Sequence, residues 1–169
     1  LLDGRIDIAV HSLKDLPTIL PDGLSISAFC EREDARDALV LAAGSEFDAT
    51  SLGNLPRGAI VGTSSPRRLA QLRCWFGNNL EIKDLRGNVD TRIRKLDEGQ
   101  YDALILASAG LVRLGLSNRI SLRIPISHML PAVGQGAIAI ETRSDDDIAL
   151  ETTCKLDHRE TRLACLAER

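Results

Sequence analysis

Three short runs carry side chains suited to chemistry. In the first, His11, Ser12, Lys14 and Asp15 set a base and an acid side by side, a pairing that serves proton transfer or the stabilisation of a developing cation. The competing reading makes Lys14 and Asp15 a solvated loop pair and His11 a hydrogen-bonded core histidine. In the second, Gly62, Thr63, Ser64, Ser65, Pro66, Arg67 and Arg68 join three hydroxyls to two guanidinium groups at the start of a helix. A helix N-terminus offers free N–H groups and partial positive charge, so this run reads as an anion site. It reads equally as an ordinary capped helix with two exposed arginines. It is not a P-loop, because the glycine spacing and the closing Gly-Lys-Ser/Thr are missing. The third run, Arg86, Gly87, Asn88, Val89, Asp90, Thr91 and Arg92, is another turn into a helix with arginines on both sides, and Gly87 lets a ligand approach the backbone. Pro131 to Gly136, with Gln135 between two glycines, is either a hinge or a plain turn.

The elements that must position these runs are legible from periodicity. Ile6, Ile8 and Val10 alternate as a short strand that ends at His11, and Leu24, Ile26 and Ala28 suggest a second. Ala38 to Ala42 is a third apolar run, and Gly44 to Gly58 reads as loop with one short helical turn. Ala59 to Val61 is a buried strand; Ser65 as N-cap with Pro66 at the first helical position starts a helix through Leu69, Leu72 and Trp75. Glu81 to Leu85 is a strand, Asp90 caps a helix over Thr91 to Glu98, and Gly99 ends it. Tyr101 to Ala107 has the continuous apolar character of a strand buried on both faces. Ala137 to Ile140 is a last strand, Asp145 to Asp147 a solvated turn, and Asp157 the N-cap of a closing helix. Strands alternating with helices predict an α/β fold with a mostly parallel sheet, in which ligands bind outside the carboxyl ends of strands.

The composition narrows the partners. The chain has 169 residues, 44% apolar and 27% charged, with a formal net charge of −3, values of a soluble globular protein without the basic surface of a general nucleic-acid binder. No apolar run reaches the roughly 20 residues of a membrane span and the start lacks a signal peptide, so a cytoplasmic setting is expected. Lysine is outnumbered by arginine, 4 against 17, and the planar arginine fork suits carboxylate or phosphate. Cys30, Cys74, Cys154 and Cys165 show no CxxC pairing and no histidine at ligand spacing, which predicts no metal and free, mostly buried thiols. His128 and His158 are isolated and receive no role. The first residue is Leu1, and both ends read as cuts within helices, so the chain is expected to be an internal piece of a longer protein.

Taken in order, these runs resemble one family, porphobilinogen deaminase, also called hydroxymethylbilane synthase. Asp7 to Pro17 is similar to its active-site strand and loop. Cys30 to Asp34, Val61 to Ser65 with Arg67 and Arg68, and Leu85 to Val89 with Thr91 and Arg92 match in sequence order, as do Ala109 to Leu111 with Arg113 to Gly115, and Ala132 to Gly136. The resemblance implies a transferase of tetrapyrrole biosynthesis that condenses four porphobilinogen molecules head to tail, releasing ammonia at each step, on a dipyrromethane cofactor tethered to cysteine. Each pyrrole carries an acetate and a propionate, which accounts for the arginine excess. By the same resemblance Asp15 is the catalytic aspartate. Lys14, Ser12, Thr63, Ser64, Ser65, Arg67, Arg68, Arg86, Gly87, Arg92, Arg113 and Gln135 then bind cofactor and substrate.

The implied fold is two periplasmic-binding-protein-like lobes with mostly parallel or mixed sheets. Residues 1–34 and 136–156 are then an incomplete domain 1, residues 35–135 domain 2, and residues 157–169 a stub of an otherwise absent domain 3. The family's cofactor cysteine is flanked by glycine, and none of the four cysteines here sits in that motif. The 169 residues alone are therefore expected to be a monomer without cofactor attachment or turnover, with no nucleic-acid or membrane partner. The alternative is a non-catalytic anion-binding two-lobed module, such as a solute-binding or effector domain. Asp15 beside Lys14 argues against it, since a simple carboxylate binder needs no carboxylate of its own in the site.

Overall fold

The apolar runs resolve into two separate sheets in a computed structural model that describes residues 1–169. In chain order the strands are β1 (Ala9–Ser12), β2 (Leu24–Phe29), β3 (Asp37–Leu41), β4 (Ile60–Gly62), β5 (Glu81–Lys83), β6 (Ala103–Ala107), β7 (Leu122–Arg123) and β8 (Ile138–Arg143). The helices are α1 (Pro66–Phe76), α2 (Val89–Asp97), α3 (Ser108–Arg113), α4 (Asp147–Thr153) and α5 (Arg159–Glu168). The chain divides into two compact units, Leu1–Ala35 with Ala132–Arg169, and Arg36–Pro131. No helix is long and apolar enough to cross a membrane.

The first unit is built on the order β1-β8-β2, every pairing antiparallel. β1 and β2 flank a single strand running the other way, so the mostly parallel sheet expected from the sequence does not occur here. Its core gathers Leu13, Phe29, Ala137, Ala139 and Cys165, and the Arg162 guanidinium lies 4.8 Å from the Phe29 ring centroid. The strand expected from Ile6 to Val10 is shorter and its apolar row faces outward. Ala9 and His11 take the inner side instead, and His11 Nε2 lies 3.1 Å from Glu141 Oε2. Residues 157–169, read from the sequence as the start of a third domain, pack in this unit through α5.

The second unit is a five-stranded sheet, β5-β4-β6-β3-β7, in which β4 is parallel to β5 and β6 while β3 is antiparallel to β6 and β7. The sheet is therefore mixed. Alternate residues of its central strands feed opposite faces, as the two-residue period of a strand requires. Leu39, Leu41, Val61 and Ile105 enter one core, and Ala38, Val40, Leu104 and Leu106 the other.

Several local expectations shift. The N-cap of α2 is Asn88, whose side chain accepts from Thr91 N at 3.0 Å, and Asp90 lies within the helix. The cap of α5 is His158, accepting from Thr161 N. Asp157 accepts instead from Phe29 N and Arg162 Nε, both at 2.8 Å. The acidic turn at 145–147 starts a helix, with Asp146 capping α4 through Ala149 N. α3 and β7 had no separate signal in the sequence. Of the cysteines only Cys165 is buried, whereas Cys74 and Cys154 are exposed and Cys30 is half-buried. Each of these outcomes depends on which neighbour the fold brings within hydrogen-bond range or lays over a side chain.

Candidate functional site

In the second unit the order β5-β4-β6 sets the carboxyl ends of three parallel strands beside one another, and each is followed by an arginine-bearing segment. After β4 come Thr63, Ser64 and Ser65, then α1 with Arg67 and Arg68 in its first turn. Ser65 Oγ accepts from Arg68 N, and Pro66 enters with its φ already set for a helix. After β5 come Arg86 and Gly87, then Asn88 and α2, which carries Arg92. After β6, α3 ends at the exposed Arg113.

The first two turns are tied together. Thr63 N donates to Lys83 O at 3.0 Å, while Ser64 Oγ donates to Leu85 O and accepts from Leu85 N. Gly87 has φ +116°, and a Cβ there would lie 2.9 Å from the Thr91 methyl, so the position demands glycine. Its carbonyl accepts from Arg92 Nε at 2.7 Å. Arg86 extends into solvent with Nε on Asp84 Oδ2 at 2.8 Å.

Sequence reasoning missed the residue that organises the arginines. Asp37, fully buried at the start of β3, takes Arg68 Nε and Nη2 on Oδ1 at 3.1 and 2.7 Å, and Arg67 Nη2 on Oδ2 at 2.7 Å. Arg68 Nη1 donates to Ile105 O at 3.0 Å, and Arg67 Nη1 to Leu130 O. The available signal was one acid heading an otherwise apolar strand, Asp37 before Ala38 to Leu41. Burial pushes the Arg68 pKa below the ordinary arginine value; Asp37 opposes that shift, and repulsion from Arg67 and Arg92 adds to it. Two guanidinium groups thus share the one buried carboxylate of Asp37, and Arg68 also feels the charge of Arg92, an excess of positive charge that arginine cannot shed by losing a proton.

Two buried donors at this edge have no acceptor within the chain, Arg67 Nε and the Ser108 hydroxyl at the start of α3. A cluster with cationic excess and an unanswered guanidinium N–H fits a polycarboxylate.

In the first unit Ser12 ends β1, and Lys14 and Asp15 lie on a single 3-10 turn, Leu13–Asp15. The buried Leu13 anchors that turn, its N–H on Ala137 O at 3.0 Å, and leaves Ser12, Lys14 and Asp15 exposed. Gln135 is almost wholly buried; its Nε2 donates to Ala35 O at 2.6 Å and its backbone carbonyl accepts from Arg32 Nε at 2.9 Å. Its amide nitrogen thus braces the backbone of the first unit. Arg32 also forks onto Glu168, at 2.5 and 3.0 Å, and Glu168 Oε2 accepts from Gly134 N at 2.8 Å. No group of three or more His, Cys, Asp or Glu side chains is placed to hold a metal ion.

The family model described as porphobilinogen deaminase, dipyrromethane cofactor binding domain, matches residues 1–151. Over 169 residues the chain is 54% identical to the porphobilinogen deaminase of Pelotomaculum thermopropionicum and 59% identical to that of Synechococcus sp. RCC307. Both alignments take in 100% of this chain and 52% of the relative, so the chain spans about half the length of the curated relatives it matches. Among solved structures, an arginine transport system periplasmic binding protein from Legionella pneumophila has a TM-score of 0.51 at 14% identity, covering 99% of this chain and 73% of that one. A putative methionine-binding lipoprotein from Bacillus subtilis has a TM-score of 0.53 at 15% identity, covering 82% and 63%. At such identities the likeness shows the fold alone, an α/β architecture shared with periplasmic binding proteins.

Proposed function

The chain belongs to the porphobilinogen deaminase family, and on that basis we propose that the protein serves as a transferase in the head-to-tail condensation of four porphobilinogen molecules in tetrapyrrole biosynthesis. The observation that carries this reading is the pair Arg67 and Arg68 on the one carboxylate of Asp37, with Arg92 on the helix that follows the neighbouring strand. Its surplus charge calls for anionic ligands, and a pyrrole with an acetate and a propionate supplies two carboxylates per ring. In the second unit Arg67, Arg68, Arg86, Arg92 and Arg113 hold such carboxylates and the hydroxyls of Thr63 to Ser65 contribute hydrogen bonds; in the first unit Ser12 and Lys14 are the ligand-binding groups. The same residues would hold the dipyrromethane, which when bound supplies the pyrrole end on which the product is built.

Asp15 is the catalytic residue. The substrate's aminomethyl C–N bond breaks with its electron pair going to nitrogen, ammonia leaves, and the positive charge spreads over the methylene-pyrrole. The exposed Asp15 carboxylate stabilises that charge, accepts the pyrrole N–H and assists the proton transfers. On this reading the first unit corresponds to part of the family's first domain and the second unit to its second. The 169 residues alone bind porphobilinogen without turning it over, because Cys30, Cys74, Cys154 and Cys165 all lack flanking glycine.

Mass spectrometry and calorimetry of the chain with porphobilinogen test both statements. Reversible binding with unchanged mass is expected. A covalent pyrrole adduct would overturn the inertness, and absence of any binding would overturn the site.

A further inference from the structure

We infer that Gln71 and Trp75 are positioning residues for Arg67, acting through the backbone of residues 128–130. This rests on the reading of Arg67 as a ligand carboxylate fork. Arg67, Gln71 and Trp75 follow one another at four-residue steps along one side of α1, the spacing that stacks side chains on a helix surface. Gln71 grips both polar backbone groups of Leu130: its Oε1 accepts from Leu130 N at 2.7 Å and its Nε2 donates to Leu130 O at 3.1 Å. One turn further on, Trp75 Nε1 donates to His128 O at 2.8 Å. The indole stacks on the His128 ring, centroids 4.9 Å apart and planes 15° from parallel. Met129, between the two gripped residues, is fully buried in the core of this unit.

The Leu130 carbonyl that Gln71 holds is the same one that receives Arg67 Nη1. The other arm of the fork, Nη2, is held by Asp37. A planar guanidinium held at both terminal nitrogens has little freedom left, so the directions of its three other N–H groups, on Nε, Nη1 and Nη2, are set by two acceptors. One of these is a buried carboxylate. The other is a carbonyl whose place depends on a glutamine amide and an indole with no other function in the site. Orientation of the fork, and with it affinity for a carboxylate, is therefore delegated in part to residues that never touch the ligand.

Gln71→Met tests this, since methionine keeps the length and volume of the side chain but makes neither bond to Leu130. Phenylglyoxal modification of arginine, read by peptide mass spectrometry on the whole chain, follows the Arg67 fork without any ligand. The exposed Arg73 on the same helix serves as the internal control. Arg67 should react about tenfold faster in Gln71→Met, the equivalent of losing roughly one net hydrogen bond, with Arg73 unchanged. Trp75→Phe keeps a stacked ring but not the Nε1 donor and should give a smaller change in the same direction. It also provides an independent refutation should Gln71→Met fail to fold. Trp75 is the sole tryptophan, so its emission in Gln71→Met reports whether residues 128–130 have left α1.

Porphobilinogen binding by the chain should weaken about tenfold in Gln71→Met, in step with the change in Arg67 reactivity. Unchanged Arg67 reactivity in both variants, or unchanged affinity despite a shifted Trp75 emission, would overturn the positioning role. Altered Arg67 reactivity in a chain whose wild type binds no porphobilinogen would instead uphold the positioning and count against the proposed function.

Discussion

Replacing Asp37 by asparagine probes the charge arrangement directly. The two side chains have nearly the same shape, so the change removes a negative charge and turns one acceptor oxygen into a donor that faces guanidinium N–H groups. Asp37 is fully buried and Arg68 is 6% exposed, which leaves water little access to replace what is lost. Donors on the carboxylate include two from Arg68 at 3.1 and 2.7 Å and one from Arg67 at 2.7 Å. Arginine cannot discharge itself by losing a proton, so Arg68 becomes a buried cation without a counter-charge. Breaking one side of such a pair costs about 3–5 kcal/mol, against roughly 5–15 kcal/mol of total stability for a small domain.

Thermal or urea unfolding of the chain, followed by circular dichroism, should show Asp37→Asn melting more than about 10 °C below wild type. Added salt should barely change that difference, since a buried pair is poorly screened. The double variant Asp37→Asn with Arg68→Met should recover a substantial part of the loss, because it removes the stranded cation as well. A single variant within about 1 kcal/mol of wild type would refute the reasoning, as it would mean that the pair is worth no more than a surface ion pair.

Two further outcomes follow from local chemistry. Asn88→Ala should cost about 1 kcal/mol in urea unfolding, the usual worth of an N-cap bond, and Asp90→Ala clearly less; the reverse order would restore Asp90 as the cap of α2. Burial opposes ionisation of Glu168, but the bonds from Arg32 and from Gly134 N–H outweigh it and hold the carboxyl below the ordinary glutamate value. A carboxyl depressed in the folded state contributes stability above its unfolded pKa and loses it as pH falls through the folded one. The stability gap between wild type and Glu168→Gln should thus be full at neutral pH and close in acid below the ordinary value of 4.5. A gap independent of pH would refute the ionic role of the Arg32–Glu168 pair.

Much of the fold was legible in one dimension. Periodicity located β2, β3, β4, β6 and β8, and a serine followed by proline located the start of α1, because strand alternation and helix capping are local effects written in adjacent residues. Local signals misled where two polar groups competed for one role. Asp90 and Asp157 are sound capping residues by type, yet Asn88 and His158 cap α2 and α5. Asp157 is diverted to Phe29 N, a partner 128 residues away. Sheet direction was likewise out of reach: nothing in the residues of β1, β2 and β8 reveals that one strand is sandwiched antiparallel between the other two.

For function the division is similar. The order of short polar runs was sufficient to suggest the family from the amino-acid sequence alone, and the arginine excess to suggest anionic ligands. Charge compensation was decided only in three dimensions. Asp37 lies 30 and 31 positions from Arg67 and Arg68 and looks in sequence like one acid among many. The bond from the Gln135 amide to Ala35 O, across 100 positions, is likewise a product of the fold. Residue types and their order state which chemistry a chain can offer. Burial and hydrogen-bond partners decide which of those groups are committed to one another and which keep a donor for a ligand, since the interaction energies depend on distances that only folding sets.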